Sequence, residues 1–185
     1  MLADGKFPVM GTLRTEPDAS AANDCPETSA AGQPCWLTPE EQQAWRAHLT
    51  MGKLLSRQLD RDLRSFGLSI NDYEILVVLS EAPDRQLRMT DLADATAQSR
   101  SRLSHQITRM EASGLVRRES CPGDKRGLFA VLTSQGMATI QRVAPHHVKS
   151  VRRHFIDLLT EDQLSAVREG YAVVIDHLRQ IRERD

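Results

Sequence analysis

Between Met89 and Leu132 the hydrophobic pattern passes from helix to helix to strand, and that order leaves few folds open. Met89 to Ala95 reads as a short helix capped by Thr90. After a turn at Thr96 to Gln98, Ser99 caps a second helix. Leu103, Ile107 and Met110 share its inner face, and Arg100, Ser101, Arg102, Ser104, His105, Thr108 and Arg109 are left outside. Ser113-Gly114 ends it. Leu115 to Ser120 and Leu128 to Leu132 read as antiparallel strands, joined by the charged turn Cys121 to Gly127. Two short helices about a tight turn describe a helix-turn-helix, and the hairpin makes it the winged form.

Longer helices flank this module. Thr38-Pro39-Glu40-Glu41 combines a threonine cap, proline at the first helical position and glutamate three residues after the cap. The helix it opens carries Trp45, Leu49, Leu55, Leu59, Leu63 and Phe66 on one stripe and stops at Gly67. A helix over Asn71 to Ser80 closes before Pro83. A further helix opens at Thr133-Ser134, and Pro145 is expected to kink or interrupt it. Thr160 and Gln163 form a second capping box before the last helix, with Leu164, Val167, Tyr171, Val174, Ile175 and Leu178 on its apolar face. Residues 1–36 hold half of the eight prolines, and their only aromatics are Phe7 and, at the edge, Trp36, so they read as a flexible tail.

Charge narrows the function. The net charge is −1, yet Gln98 to Gly127 carries seven basic and three acidic residues, a window of +4 against −5 for the remainder. A basic patch on an acidic protein is an electrostatic footprint for a polyanion. No stretch approaches the ~20 apolar residues of a membrane span. The N-terminus lacks the basic start and apolar core of a secretory signal, so a cytoplasmic location is expected. Cys25, Cys35 and Cys121 fit no disulfide framework and read as reduced thiols.

The stretch Leu92 to Gly136 resembles the MarR family of bacterial transcriptional regulators. The resemblance rests on Leu92-Ala93, Ser99-Arg100-Ser101, Arg109-Met110-Glu111, Gly114-Leu115-Val116, Asp124-Lys125-Arg126, and Leu132-Thr133 with Gly136, in that order and spacing. Helix order extends it loosely from Trp36 to the C-terminus, but not to the tail. It implies a mainly α fold: a winged helix-turn-helix with a small β-hairpin wing, flanked by long N- and C-terminal dimerisation helices. On that reading residues 37–185 form one regulator domain. Its DNA-binding lobe covers about 71–133, and its dimerisation helices cover about 38–66 and 134–183. It further implies a homodimer on an inverted-repeat operator, with repression the commoner mode.

The residues suit double-stranded DNA. The recognition helix offers Ser99, Arg100, Ser101, Arg102, Ser104, His105 and Arg109, with Thr90 at the preceding helix start. Its free N–H groups favour phosphate. Arg100 and Arg102 are long enough for guanine edges, and Ser104 and His105 donate or accept at base edges. The family's Asp-x-Arg pattern implies that Arg126 enters the minor groove, oriented by Asp124, with Lys125 beside them. A solvated helix face and a polar turn are the bland alternatives.

Family members commonly sense small molecules, and Trp45, His48, Met51, Tyr73 and His147 are the candidate lining residues, equally readable as core or dimer interface. No cofactor is expected. His146, His147, His154 and His177 lack metal-ligand spacing. A thiol-based redox sensor, at Cys35 beside the first helix or Cys121 at the wing base, and a winged module for RNA or protein are the alternative functions. No glycine-rich phosphate loop or nucleophile motif points to an enzyme.

Overall fold

The computed structural model describes residues 36–121 and 124–182, without the side chains of 124–126 and 182. The elements run α1 (Pro39–Leu63), α2 (Ile70–Glu81), β1 (Gln86–Arg88), α3 (Met89–Ala95), α4 (Arg100–Ala112), β2 (Val116–Cys121), β3 (Asp124–Leu132), α5 (Ser134–His154) and α6 (Glu161–Arg182). The fold is therefore mostly helical, with one small antiparallel sheet in the order β1-β3-β2. Two compact units emerge among the described residues, one over Ser56–His154, the other over α1 as far as Leu55 together with the chain from Phe155 onward.

The first unit holds the core. Ile75, Leu76 and Leu79 of α2, Leu92 of α3, Leu103, Ile107 and Met110 of α4, Val116 and Ala130 of the hairpin and Val143 of α5 are all buried together. Each comes from the inward stripe of its helix or strand, and their removal from water is the main favourable term for this unit. In β2 and β3 the register runs from Val116 opposite Leu132 to Ser120 opposite Leu128, with an irregularity between Ser120 and Cys121. The second strand begins at Asp124, four residues earlier than the sequence pattern suggests.

Two expectations need correction, and one strand is new. Thr90 does not cap α3: the cap position is Arg88, and the Thr90 hydroxyl instead donates to Asp91 Oδ1 at 3.1 Å. β1 was not anticipated; it pairs with β3 from Gln86 opposite Val131 to Arg88 opposite Phe129. Pro145 does not interrupt α5, which runs as one helix from Ser134 to His154. Pro145 and Gln141, whose carbonyl loses its intrahelical donor, are both exposed, so water can satisfy that carbonyl.

In the second unit, the capping boxes form at both helix starts. Glu41 N–H donates to Thr38 Oγ1 and Thr38 N–H to Glu41 Oε2, and Thr160 and Gln163 exchange the same pair. Within it Trp45 stacks on His48, and His48 Nδ1 lies 3.1 Å from the Tyr171 hydroxyl. No described residue of this unit is buried, and Trp45, Leu49, Val173, Val174, Leu178 and Ile181 stand exposed.

Candidate nucleic-acid interface

α3 and α4 meet at a tight turn. Ala97 adopts a φ of 49°, in the left-handed region, and the following Gln98 N–H reaches the Ala93 carbonyl at 2.9 Å. Buried Thr96 donates its hydroxyl to the Leu92 carbonyl at 2.8 Å, closing the end of α3. Ser99 then caps α4, accepting from Arg102 N–H at 3.3 Å. Arg100, Ser101, Arg102, Ser104, His105, Thr108 and Arg109 are all exposed, while Leu103, Gln106, Ile107 and Met110 are buried. One helix thus has an apolar face in the core and a hydroxyl- and arginine-bearing face to solvent.

Gln106 is the exception on the inner face. It is 3% exposed and donates through Nε2 to Asp72 Oδ1 at 3.0 Å. The other oxygen of Asp72 accepts from the Ser69 N–H and hydroxyl, completing the capping box at the start of α2. One carboxylate therefore ties the start of α2 to the middle of α4.

Beside α4 lies the hairpin. A concavity of about 330 Å³ between them is lined by Arg88, Thr90, Arg100, Ser104, Arg118 and Leu128, among others. Three guanidinium groups and two hydroxyls at one cleft suit an anionic partner. The side chains of Asp124, Lys125 and Arg126 lie outside the described residues; only their backbone, in β3, is described. Arg117 is paired with Glu119 at 2.6 Å on the exposed surface. Thr133 anchors the hairpin base: its hydroxyl donates to the Gly114 carbonyl at 2.7 Å and accepts from Gly136 N–H at 2.9 Å. Gly136 has no room for a side chain, because a Cβ there would overlap the Leu115 carbonyl oxygen and lie 2.6 Å from Leu132 Cδ1.

The five candidate sensing residues fall in both units. Trp45 stacks on His48, and His48 meets the Tyr171 ring edge-on, in the second, where Met51 also lies. Tyr73 and His147 pack ring to ring at 4.3 Å in the first. A cavity of about 550 Å³ in the first unit is lined by the end of α1 and by α5, and of the five only His147 reaches it. Around it stand Arg61, Lys149 and Arg153, with Phe66 against His146. The Asp62 carboxylate accepts from Ser150 and from Gln58, and His154 lies 3.4 Å away. The Ser150 hydrogen bond holds Asp62 below the usual carboxylate range. Burial pushes the His147 imidazole below its ordinary value, and its Nδ1 is buried with no protein partner. Sequence reasoning missed Asp62, Ser150 and the three cations because their meeting depends on tertiary packing. Cys121 is buried at 5% exposure, and Cys25 and Cys35 lie outside the described residues. Among the described residues, no group of three or more His, Cys, Asp or Glu is placed to hold a metal ion, and no helix is long and apolar enough to cross a membrane.

An apolar-backed helix with an exposed polar face, a tight turn before it and a hairpin beside it define a winged helix-turn-helix DNA-binding protein. The comparisons narrow this class. The MarR family profile matches residues 66–127. AbsC, a MarR family transcriptional regulator from Streptomyces coelicolor, is 59% identical, with a TM-score of 0.75 over 79% of this chain and 99% of that one. Sco3205, of the same family and organism and solved in complex with DNA, is 46% identical, with a TM-score of 0.76 over 79% and 92%. The HTH-type transcriptional regulator PecS of Dickeya dadantii is 29% identical over 127 residues, 68% of this chain and 75% of its own length. The chain belongs to the MarR family of transcriptional regulators.

Proposed function

We propose that the protein is a homodimeric, sequence-specific DNA-binding regulator that represses transcription from an inverted-repeat operator and is released by a small-molecule effector. The observation that carries the DNA reading is the exposed face of α4, with Arg100, Ser101, Arg102, Ser104, His105 and Arg109 pointing away from a buried apolar face. The DNA complex of Sco3205, 46% identical, supports it. Ser99 serves as the helix cap, Thr90 flanks the recognition helix, and Asp124, Lys125 and Arg126 form the wing contact in the adjacent minor groove. Each lobe reads one half-site, with the two lobes about one DNA turn, ~34–36 Å, apart.

The second copy of the chain is the partner for the second unit. Its exposed Trp45, Val174 and Leu178, with no buried residue among them, make an apolar surface of the kind that subunit interfaces cover. Residues 37–185 then act as one regulator domain behind the tail, 1–36, in the cytoplasm where its DNA lies. The effector reading rests on the cavity beside Arg61, Lys149, Arg153 and His147, whose cations favour an anionic molecule. Release requires the effector to bind the DNA-free arrangement better than the DNA-bound one.

Fluorescence anisotropy on DNA from just upstream of the chain's own gene tests the reading. A scrambled duplex, a double-stranded RNA, a salt series and Arg126→Ala run alongside. The expected result is tight, steeply salt-dependent binding to the upstream DNA alone, weakened by the substitution. Preference for the RNA, or no binding to either DNA at low salt, overturns the DNA reading. Unchanged affinity of Arg126→Ala removes the wing role.

A further inference from the structure

Arg118 looks at first like one more cation for DNA, but both of its Nη groups are already bonded inside the protein. Its Nη1 donates to Glu111 Oε2 at 2.6 Å, and its Nη2 donates to the Ser104 carbonyl and to Thr108 Oγ1, both at 2.8 Å. Its backbone N–H donates to the other Glu111 oxygen at 2.9 Å. The Thr108 hydroxyl itself donates a hydrogen bond to the Ser104 carbonyl at 3.0 Å. Both oxygens of Glu111 are used, and three of the five guanidinium N–H groups are bonded to α4. Arg118 side-chain exposure is only 21%.

Its place in the fold gives the set meaning. Arg118 lies in the middle of β2, opposite Ala130 of β3. Ser104, Thr108 and Glu111 lie on successive turns of α4. The base of the hairpin is held separately, by Thr133 against the carbonyls of Gly114 and Leu115. β1 holds the β3 edge of the hairpin, through residues 129–131, but among the described residues the β2 edge beside α4 has no strand partner of its own beyond β3. A planar guanidinium bound at several points to the neighbouring helix holds that edge, because its fork geometry fixes direction as well as distance.

We propose that Arg118, oriented by Glu111, is a positioning residue that sets the wing against the recognition helix and so fixes the separation at which the two meet adjacent grooves of DNA. This rests on the DNA-binding reading above. The clamp contributes by pre-organisation: the wing need not be ordered at the moment of binding.

The test turns on a sign. Glu111 is an acid beside a polyanion site, so removing its charge should tighten DNA binding if electrostatics alone mattered. If Glu111 holds Arg118, removal should weaken binding instead. A glutamine there can accept from only one of the two donors and sets its own N–H₂ group against the other. The probe is a duplex recovered by the wild-type protein from a randomised library. Glu111→Gln, Arg118→Gln and Arg118→Lys are titrated by anisotropy, footprinted with hydroxyl radicals and with guanine methylation, and checked as folded by circular dichroism. Glu111→Gln and Arg118→Gln are each expected to weaken binding by about tenfold, the scale of one coupled contact. Arg118→Lys should fall between them and wild type. Minor-groove protection at the flanks should fade while major-groove protection of guanines persists. Equal or tighter binding by Glu111→Gln overturns the proposal, and so does weakened binding with the flank protection intact. If the wild-type protein recovers no duplex, the DNA reading itself fails and the clamp's role goes with it.

Discussion

Replacing Gln106 by methionine isolates one bond within the recognition lobe. The substitution keeps the length of a side chain that is 3% exposed and removes only its polar end. What is lost is the 3.0 Å donation to Asp72 Oδ1. A hydrogen bond to a charged acceptor is worth ~1.5–3 kcal/mol. The thioether returns about 1 kcal/mol through the extra apolar area it buries. The net loss is then ~0.5–2 kcal/mol, which lowers Tm by roughly 1–8 °C for a chain of this size. Thermal and urea melts followed by circular dichroism measure it. The decisive arm is the same substitution in an Asp72→Ala background, where no carboxylate is left unpaired. There Gln106→Met should be neutral or stabilising, a coupling of ~1–2 kcal/mol between the pair. An equal loss in both backgrounds would refute the argument, since it would make the effect one of packing rather than of pairing.

Three further outcomes are expected. Gly136→Ala should destabilise the fold: alanine gains about 1 kcal/mol in helix propensity, but overpacking against a backbone carbonyl that cannot swing aside costs ~1–3 kcal/mol or more; a higher Tm would contradict this. His147, whose protonated form burial disfavours, contributes stability that is fully present above the unfolded imidazole value of about 6.5 and is lost as pH falls through that value toward its depressed folded one. His147→Gln should therefore flatten the fall in Tm between pH ~7.5 and ~5, and an unaltered profile in scanning calorimetry would count against a buried neutral ring. Val174→Asp combined with Leu178→Glu places two charges on the exposed apolar face of α6 and should give monomers in sedimentation velocity, whereas persistent dimers would locate the interface elsewhere.

Local signals in the sequence were legible where one side chain satisfies a nearby backbone group. Thr38, Ser99 and Thr160 cap their helices as their spacing implies. Ser69 and Asp72 form a box of the same kind, and the serine-x-x-aspartate spacing was available to find it. Thr90 misled because the helix begins before it, at Met89, which puts Thr90 inside the first turn rather than at the cap. β1 escaped because three residues carry too little alternation to reveal a strand; its pairing comes from β3. Pro145 does not interrupt α5, because the carbonyl it leaves without a donor, that of Gln141, lies on an exposed face. The apolar stripe of α4 was read correctly, but Gln106 was invisible on it, since its partner is 34 positions away. Arg118 and Glu111 are seven apart across a turn, and nothing in their spacing separates an internal clamp from a surface charge pair.

Those two hidden bonds bear on how α4 works. A recognition helix must meet bases with its exposed face at a fixed height and rotation, and apolar packing alone specifies rotation poorly, because leucine and isoleucine contacts tolerate small slides. Directional bonds do not. Gln106 to Asp72 fixes α4 against the start of α2, and Glu111 and the Ser104 carbonyl fix it against β2. Gln106 and Glu111 lie about 140° apart round one helix, so a slide toward either partner lengthens the bond to the other. Arg100, Arg102, Ser104 and His105 are thereby left as exposed side chains on a backbone held from two sides. Ordering that backbone in the free protein removes a cost that binding would otherwise bear. The prediction that tests this joins the two: with each single variant folded, Gln106→Met and Glu111→Gln together should weaken DNA binding by more than the product of their separate effects, because only the pair frees the helix on both sides. Strictly multiplicative losses would mean that each bond acts alone and that apolar packing suffices to hold the helix in register.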